Sequence, residues 1–311
     1  MPELPEVEVV RRGLEKWVRG RTLESVEVLD PRSVRRHPDG PQDFEQTLTG
    51  CNITSAVRRG KFLWLGLDGL EVPAVLVAHL GMSGQLLVEE PEAVDEKHLK
   101  VRLSLAQHLD YPGELRFVDQ RIFGGMFISP LVATPDGLPA GEGTTEAAIP
   151  QAAAHIARDV LDPHRSAEDL YVVLRKRSTQ LKRAILDQGV ISGVGNIYAD
   201  EALWQAKLSG LRKTATIRRP EVQRLNDALI DVMTRALAAG GTSFDSLYVN
   251  VNGASGQLNI ALKRVEGSRR RVIPHSDLAQ SALGTRFDSL NCSMAHRHRS
   301  RSRSLRGVAC A

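Results

Sequence analysis

Two hydrophobic periods share this chain without mixing. From about residue 20 to 130 the apolar residues come in short runs, TLESVEVLD, NITSAVRRG, KFLWLGLDG, AVLVAHLG and LKVRLSLAQ, punctuated by Gly, Pro and Asp. Runs of that length, β-branched or apolar and bounded by turn residues, predict strands. ELRFVDQRIFGGMFI extends the pattern. Residues 133–150, ATPDGLPAGEGTTEAAIP, show no period and read as a linker. Beyond them the period is helical. SAEDLYVVLRKR offers Ser166 as a cap with Asp169 three residues on, and STQLKRAILDQ is a second helix closed by Gly189. GNIYADEALWQAKL and PEVQRLNDALIDVMTRALAAGG are the third and fourth. In the last, Val222, Leu225, Leu229, Val232, Met233, Ala236 and Leu237 share one face, and Gly240 ends it. A further helix, from about Pro5 to Trp17, precedes the strands. Separated periods predict an α+β fold: an N-terminal helix with a β-sandwich or flattened barrel, then a helical domain. The expected divisions are 1–132 for the β-rich domain, 133–165 for the linker, 166–262 for the helical domain and 263–311 for an irregular tail.

Bulk numbers narrow the function classes. The 311 residues suffice for two domains with their own cores, and 42% hydrophobic with 25% charged residues is ordinary for a globular chain. No apolar run approaches a membrane span, and acids stand where a signal peptide needs a basic and then an apolar segment. Cys51, Cys292 and Cys310 form neither a C-x-x-C pair nor a disulfide framework, which suits a reducing cytoplasm. The net charge of +4 is unevenly spread: residues 263–311 hold 11 Lys/Arg against 3 Asp/Glu, leaving 30 basic and 34 acidic side chains for residues 1–262. Any nucleic-acid surface on the folded part must therefore be local.

Three stretches hold groups suited to chemistry. In MPELPEVEVV, Pro5 fits the first helical position and the acids complement the helix dipole, which leaves Pro2 and Glu3 without a structural task. Initiator methionine is commonly removed before proline, and Pro2 would then carry a secondary amine. An α-amine titrates near ~7.7–8.0, so a neutral, nucleophilic fraction exists at pH 7, and a neighbouring carboxylate can move protons. A Met-Pro start with no catalytic meaning is the plainer reading. In GVISGVGNIYADEALW, residues 189–204, a Gly-rich turn opens a helix, an anion site for which a DNA phosphate is one candidate, with Lys182 on the preceding helix adding a cation. The plainer reading is a tight corner with Asn196 as N-cap. HLGMSGQL and FVDQRIFGG place Met82, Arg121 and Phe123 on glycine-flanked loops. Those residue types wedge into a base stack and fill the hole left by an extruded base, although core packing at strand ends explains each loop alone.

PELPEVE, RRGKFLWL at residues 58–65, HLGMSG, DQRIFGG and GVGNIYADEALW stand here in that order. Together they resemble the formamidopyrimidine-DNA glycosylase family over roughly residues 1–262. The resemblance implies a bifunctional glycosylase and abasic-site lyase of base-excision repair, a cytoplasmic monomer acting on double-stranded DNA that contains 8-oxoguanine, formamidopyrimidines or abasic sites. It implies that Pro2 attacks C1′ and forms a Schiff base, that Glu3 donates and accepts the proton, and that Lys61 assists elimination and contacts the flanking phosphate. By the same resemblance Glu6 is a second acid of the pocket, and Met82, Arg121 and Phe123 fill the void. His98, Lys182 and Asn196 match the family's DNA-backbone contacts, Glu201 counts with them among the DNA-binding residues, and the segment around Gly189–Glu201 matches the helix–two-turn–helix element. The resemblance also implies that the loop at Gly240–Gly256 covers the lesion.

The family normally closes on a zinc ribbon of two C-x-x-C pairs that carries a DNA-contacting arginine. After GASGQLNIALKR none of that pattern follows, and His296 and His298 lack a Cys pair to complete a tetrahedral site, so no zinc or other cofactor is expected. The basic tail ending HRHRSRSRSLRGVACA reads as a solvated tail, a zinc-free substitute hairpin, or an out-of-frame version of the ribbon, the last favoured because the resemblance stops abruptly. Two other functions compete with excision. One is a damaged-DNA-binding relative with weak or no catalysis. The other is an N-terminal-proline tautomerase, which leaves GVGNIYADEALW and the wedge loops unexplained.

Overall fold

The computed structural model describes residues 2–241. Helix α1 spans Leu4–Trp17. The strand-rich part forms β1 (Leu23–Val28), β2 (Asn52–Arg59), β3 (Phe62–Asp68), β4 (Ala74–His79), β5 (Gly84–Glu89), β6 (Leu99–Leu105), β7 (Glu114–Asp119), β8 (Gly125–Ala133) and β9 (Ala148–Pro150). They make two antiparallel sheets, ordered β1-β6-β7-β5 and β2-β3-β4-β8-β9. Leu103, Leu115 and Phe117 of the first sheet pack against Ile53, Leu65 and Leu76 of the second, and Val7, Val10 and Leu14 of α1 join that core. The second sheet is buried on its other face too, where Val57, Trp64, Val75 and Phe127 meet Ile149 and Ile156. Burial on both faces explains why AVLVA reads as an unbroken apolar run, whereas LKVRLSL alternates with one face inward.

Three features depart from the sequence expectation. A helix, α2 (Gly40–Leu48), interrupts the strand region and buries Phe44 and Leu48. A strand, β5, follows the Gly-Met-Ser-Gly loop. The segment read as a linker ends in β9, which pairs with β8 and lines the outer core.

The helical half contains α3 (Ala167–Arg175), α4 (Leu181–Leu186), α5 (Asn196–Gln205) and α6 (Arg219–Ala238). Ser166 and Asp169 form the expected capping box, and Gly240 with φ +74° follows α6. Leu4 of α1 belongs to the helical core, with Leu181, Tyr198 and Leu229. One helix thus reaches both cores, and its N-terminus lies where they meet. Residues 242–262, which include the larger part of the expected lesion loop, and the tail with Cys292, Cys310, His296 and His298 lie outside the described residues.

Candidate active site at the start of the first helix

The acids that open α1 turn inward. Glu3 occupies the N-cap position, and both Glu3 and Glu6 are only 4% exposed. Glu6 Oε2 accepts the Glu3 N–H at 3.0 Å, and Glu6 Oε1 accepts the Tyr198 hydroxyl at 2.7 Å. Glu3 reaches across to α5: its Oε1 accepts the Ile197 N–H at 3.3 Å, while Oε2 is buried without a hydrogen-bond partner among the described residues. Glycines make that approach possible. A Cβ on Gly195 would lie 2.1 Å from the Glu3 carboxyl carbon, and one on Gly193 would lie 2.5 Å from a Leu4 methyl. The Leu4 N–H also donates to Gly193 O at 3.1 Å. The helix start read as an anion site, for which a DNA phosphate is one candidate, directs its Ile197 N–H at the Glu3 carboxyl. Gly195 is the N-cap, and Asn196 is the first, exposed residue of α5, not its cap as the sequence suggested.

Lys61 comes to the same place from the β-sandwich. Gly60 and Lys61 form the two-residue turn between β2 and β3, whose closing pair is Arg59 and Phe62. The turn requires a positive φ at its first central position, and Gly60 has φ +59°. A Cβ there would lie 2.6 Å from Ser192, so the hairpin tip docks on the loop that seats Glu3. Burial pushes the Lys61 ammonium below its ordinary range, opposed by Glu3 and Glu6. Burial pushes the Glu3 carboxyl up to about 7; Lys61 opposes the shift and Glu6 adds to it. A group titrating there is close to half protonated at neutral pH, the condition under which one side chain both gives and takes a proton.

A buried ion network fixes the hairpin to α1. Arg58 Nε donates to Glu8 Oε2 at 2.8 Å, and its Nη1 donates to Asp159 Oδ2 at 2.7 Å and to Gly60 O at 3.2 Å. Asp159 Oδ2 also accepts the Gly60 N–H at 3.0 Å. Burial alone would raise Glu8, but Arg11 and Arg58 outweigh it and hold the carboxyl below its ordinary value. Charges this deep persist only when paired and hydrogen-bonded, as here. Sequence reasoning treated Glu8 as a first-turn acid and gave Arg58, Asp159 and Tyr198 no role.

Met82 and Phe123 are exposed, 39% and 54%, and Arg121 is exposed beside them, which rules out core packing. His79, at the end of β4, was also missed. Its ring meets Phe62 edge-on at 5.4 Å between centroids, and its Nδ1 is buried without a partner among the described residues. Burial, followed by Arg36, Arg35 and Lys61, pushes it down to about 4, so it is neutral at pH 7. A histidine opening the HLGMSG motif was the available signal. Of the remaining expected residues, His98 is half-buried and its carbonyl accepts the Asp119 N–H at 3.0 Å. Lys182 pairs with Asp200 at 2.8 Å. Glu201 is half-buried on α5; burial raises its carboxyl and Arg235 on α6 opposes the shift. Pro2 is buried next to Glu3, with Met1 preceding it in the sequence, so its nitrogen is nucleophilic only once that residue is removed.

A family model of the formamidopyrimidine-DNA glycosylase N-terminal domain matches residues 1–126, and one of the H2TH domain of the same enzyme matches residues 156–247. The formamidopyrimidine-DNA glycosylase of Kineococcus radiotolerans is 54% identical over 283 residues, covering 88% of this chain and 90% of its own. A Lactococcus lactis Fpg variant in complex with Fapy-dG-containing DNA is similar with a TM-score of 0.67 at 28% identity, over 82% of this chain and 85% of that one. The Lactococcus lactis Fpg in complex with abasic-site DNA gives 0.65 at 28% identity, over 82% and 84%.

Proposed function

The chain belongs to the formamidopyrimidine-DNA glycosylase family, and we propose that Pro2, freed of Met1, is its nucleophile, with Glu3 as proton carrier and Lys61 as the cation beside them. It is a DNA glycosylase of base-excision repair that acts on oxidised purines in double-stranded DNA. The observation that carries the residue assignment is the buried Glu3 carboxyl, pushed up to about 7 next to the N-terminal proline and coupled to Lys61.

The Pro2 nitrogen lone pair forms a bond to C1′ of the damaged nucleotide while the base leaves with the electrons of the glycosidic bond and takes up the proton that the amine loses. Protonated Glu3 gives its proton to the ring oxygen, opening the sugar and leaving a cationic imine on C1′. That cation acidifies C2′; loss of a C2′ proton expels the 3′ phosphate, and a further elimination expels the 5′ phosphate. Lys61 supplies positive charge where the phosphate leaves. Met82, Arg121 and Phe123 enter the duplex where the base came out. Borohydride trapping on a duplex with one 8-oxoguanine opposite cytosine tests the assignment. A covalent band is expected from the Met1-free protein and none from Pro2→Gly; an equal band from both would remove Pro2 from the mechanism.

The protein is further inferred to act in the cytoplasm, as a monomer and without structural zinc. Three cysteines cannot build two C-x-x-C pairs, and among the described residues Cys51 is buried away from any such set. One zinc per chain in metal analysis of the purified protein would overturn the last point, and a dimer in sedimentation the second.

A further inference from the structure

The two loops carrying the wedge residues both cross between the two sheets. One joins β4 to β5 and holds Met82; the other joins β7 to β8 and holds Arg121 and Phe123. We propose that Asp119 is a positioning residue that locks these loops into a single wedge, an inference that rests on the wedge assignment above.

Asp119 is the last residue of β7 and is fully buried. Its Oδ1 accepts the Ser83 hydroxyl at 2.5 Å and the Arg121 N–H at 3.1 Å. Its Oδ2 accepts the Gly124 N–H at 2.8 Å. One carboxylate therefore holds the Met82 loop through Ser83 and the Phe123 loop on both sides of Phe123. The loops also touch directly: a Cβ on Gly81 would lie 2.5 Å from the Gly124 nitrogen and 2.7 Å from the Phe123 carbonyl carbon. Arg35 adds a clasp from the neighbouring segment, donating to Gly124 O at 3.1 Å and Phe123 O at 3.3 Å.

The backbone between Arg121 and Phe123 shows why such holding is needed. Ile122 has φ +57°, a region a β-branched residue keeps only where its surroundings over-determine it. Three donors converging on one carboxylate supply that determination, and a charged acceptor makes each bond stronger than a neutral one. A wedge entering a duplex meets the stacking force of the neighbouring bases, so Met82 and Phe123 have to keep their separation under load. An abasic site in single-stranded DNA presents no such stack and does not require the wedge.

The split between those two substrates is the test. Asp119→Asn keeps the shape but turns one acceptor into a donor facing donors. In the full chain freed of Met1, excision of 8-oxoguanine from duplex should fall about tenfold to a hundredfold, the scale of a small misplacement. Borohydride trapping on a single-stranded abasic oligonucleotide should stay at the unmodified level. Ser83→Ala removes one donor to Asp119, together with the hydroxyl oxygen that shares the Arg121 N–H at 3.1 Å, and serves if the Asn variant folds poorly. It should show a smaller loss of the same kind, with no added loss when combined with Asp119→Asn. Equal losses on both substrates, or undiminished duplex excision in both variants, would overturn the proposal. An unmodified protein that excises nothing from the duplex would remove the glycosylase reading, and this inference with it.

Discussion

Glu3 and Glu6 are 4% exposed, whereas Met82 and Phe123 are 39% and 54% exposed. Acids inside and large apolar residues outside invert the ordinary distribution, and each inversion has its own cause. Proton transfer near neutral pH needs a carboxyl whose charged form is disfavoured, and desolvation at the meeting of two cores provides that. Base extrusion needs apolar area held ready for a partner, and on the proposed wedge role that accounts for the exposure of Met82 and Phe123. The buried centre stores an electrostatic cost, while the exposed wedge forgoes a hydrophobic gain. Substitutions should therefore move activity and stability in different proportions in the two places.

Glu3→Gln separates them most. Single-turnover release of 8-oxoguanine should fall about 10²–10⁴-fold, the contribution of a positioned acid–base group. Stability should move the other way. The folded-state value of about 7 lies above the ordinary 4.5, so the bound proton favours the fold; that contribution is complete below pH 4.5 and is lost as pH rises through about 7. Above it the buried carboxylate costs roughly 3 kcal/mol, and the Gln variant should be more stable by up to that amount. Denaturant titrations at about pH 8 and about pH 5 check the sign, since the advantage should vanish at the lower pH.

Gly195→Ala comes next, because its Cβ would fall 2.1 Å from the Glu3 carboxyl carbon and displace it. Excision should drop about a hundredfold while base extrusion, followed by 2-aminopurine fluorescence, is unchanged. A matching drop in the fluorescence signal would mean that the two parts of the site are not separable. At the wedge, Phe123→Ala should lower duplex excision about tenfold. It should leave stability within about 0.5 kcal/mol, because an exposed ring contributes little to the fold. The smallest effect belongs to Lys182→Ala. Its partly exposed pair with Asp200 is worth under about 1 kcal/mol, and the slope of log affinity against log salt should shallow by about one. An unchanged slope would remove Lys182 from the phosphate contacts.

Legibility in the sequence followed how local each feature is. The α1 and α6 stripes and the Ser166–Asp169 box depend on neighbours three or four residues away, and all appear in the structure. Helix α2 escaped because it opens on the turn-forming types Gly40, Pro41 and Asp43, and Phe44 and Leu48 are its only buried residues. Asn196 was misplaced by one position because Gly195 takes the cap, a choice imposed by the closeness of Glu3. Glu8 could not be read at all: Arg58 stands 50 residues from Glu8 and 101 from Asp159.

By itself the sequence determined most of the elements and their order, α2, β5 and β9 excepted, and that a proline, a carboxyl and a lysine of the right kinds are present. Hydrophobic period and capping chemistry are short-range, and a string of residues carries them complete. Only the tertiary structure decided that Glu3, Glu6 and Lys61 meet where the first helix, the β2–β3 hairpin and α5 converge, and that Glu3 titrates near neutrality there. A pKa reflects the water excluded and the charges gathered by every segment packed around the group, and those segments are far apart along the chain.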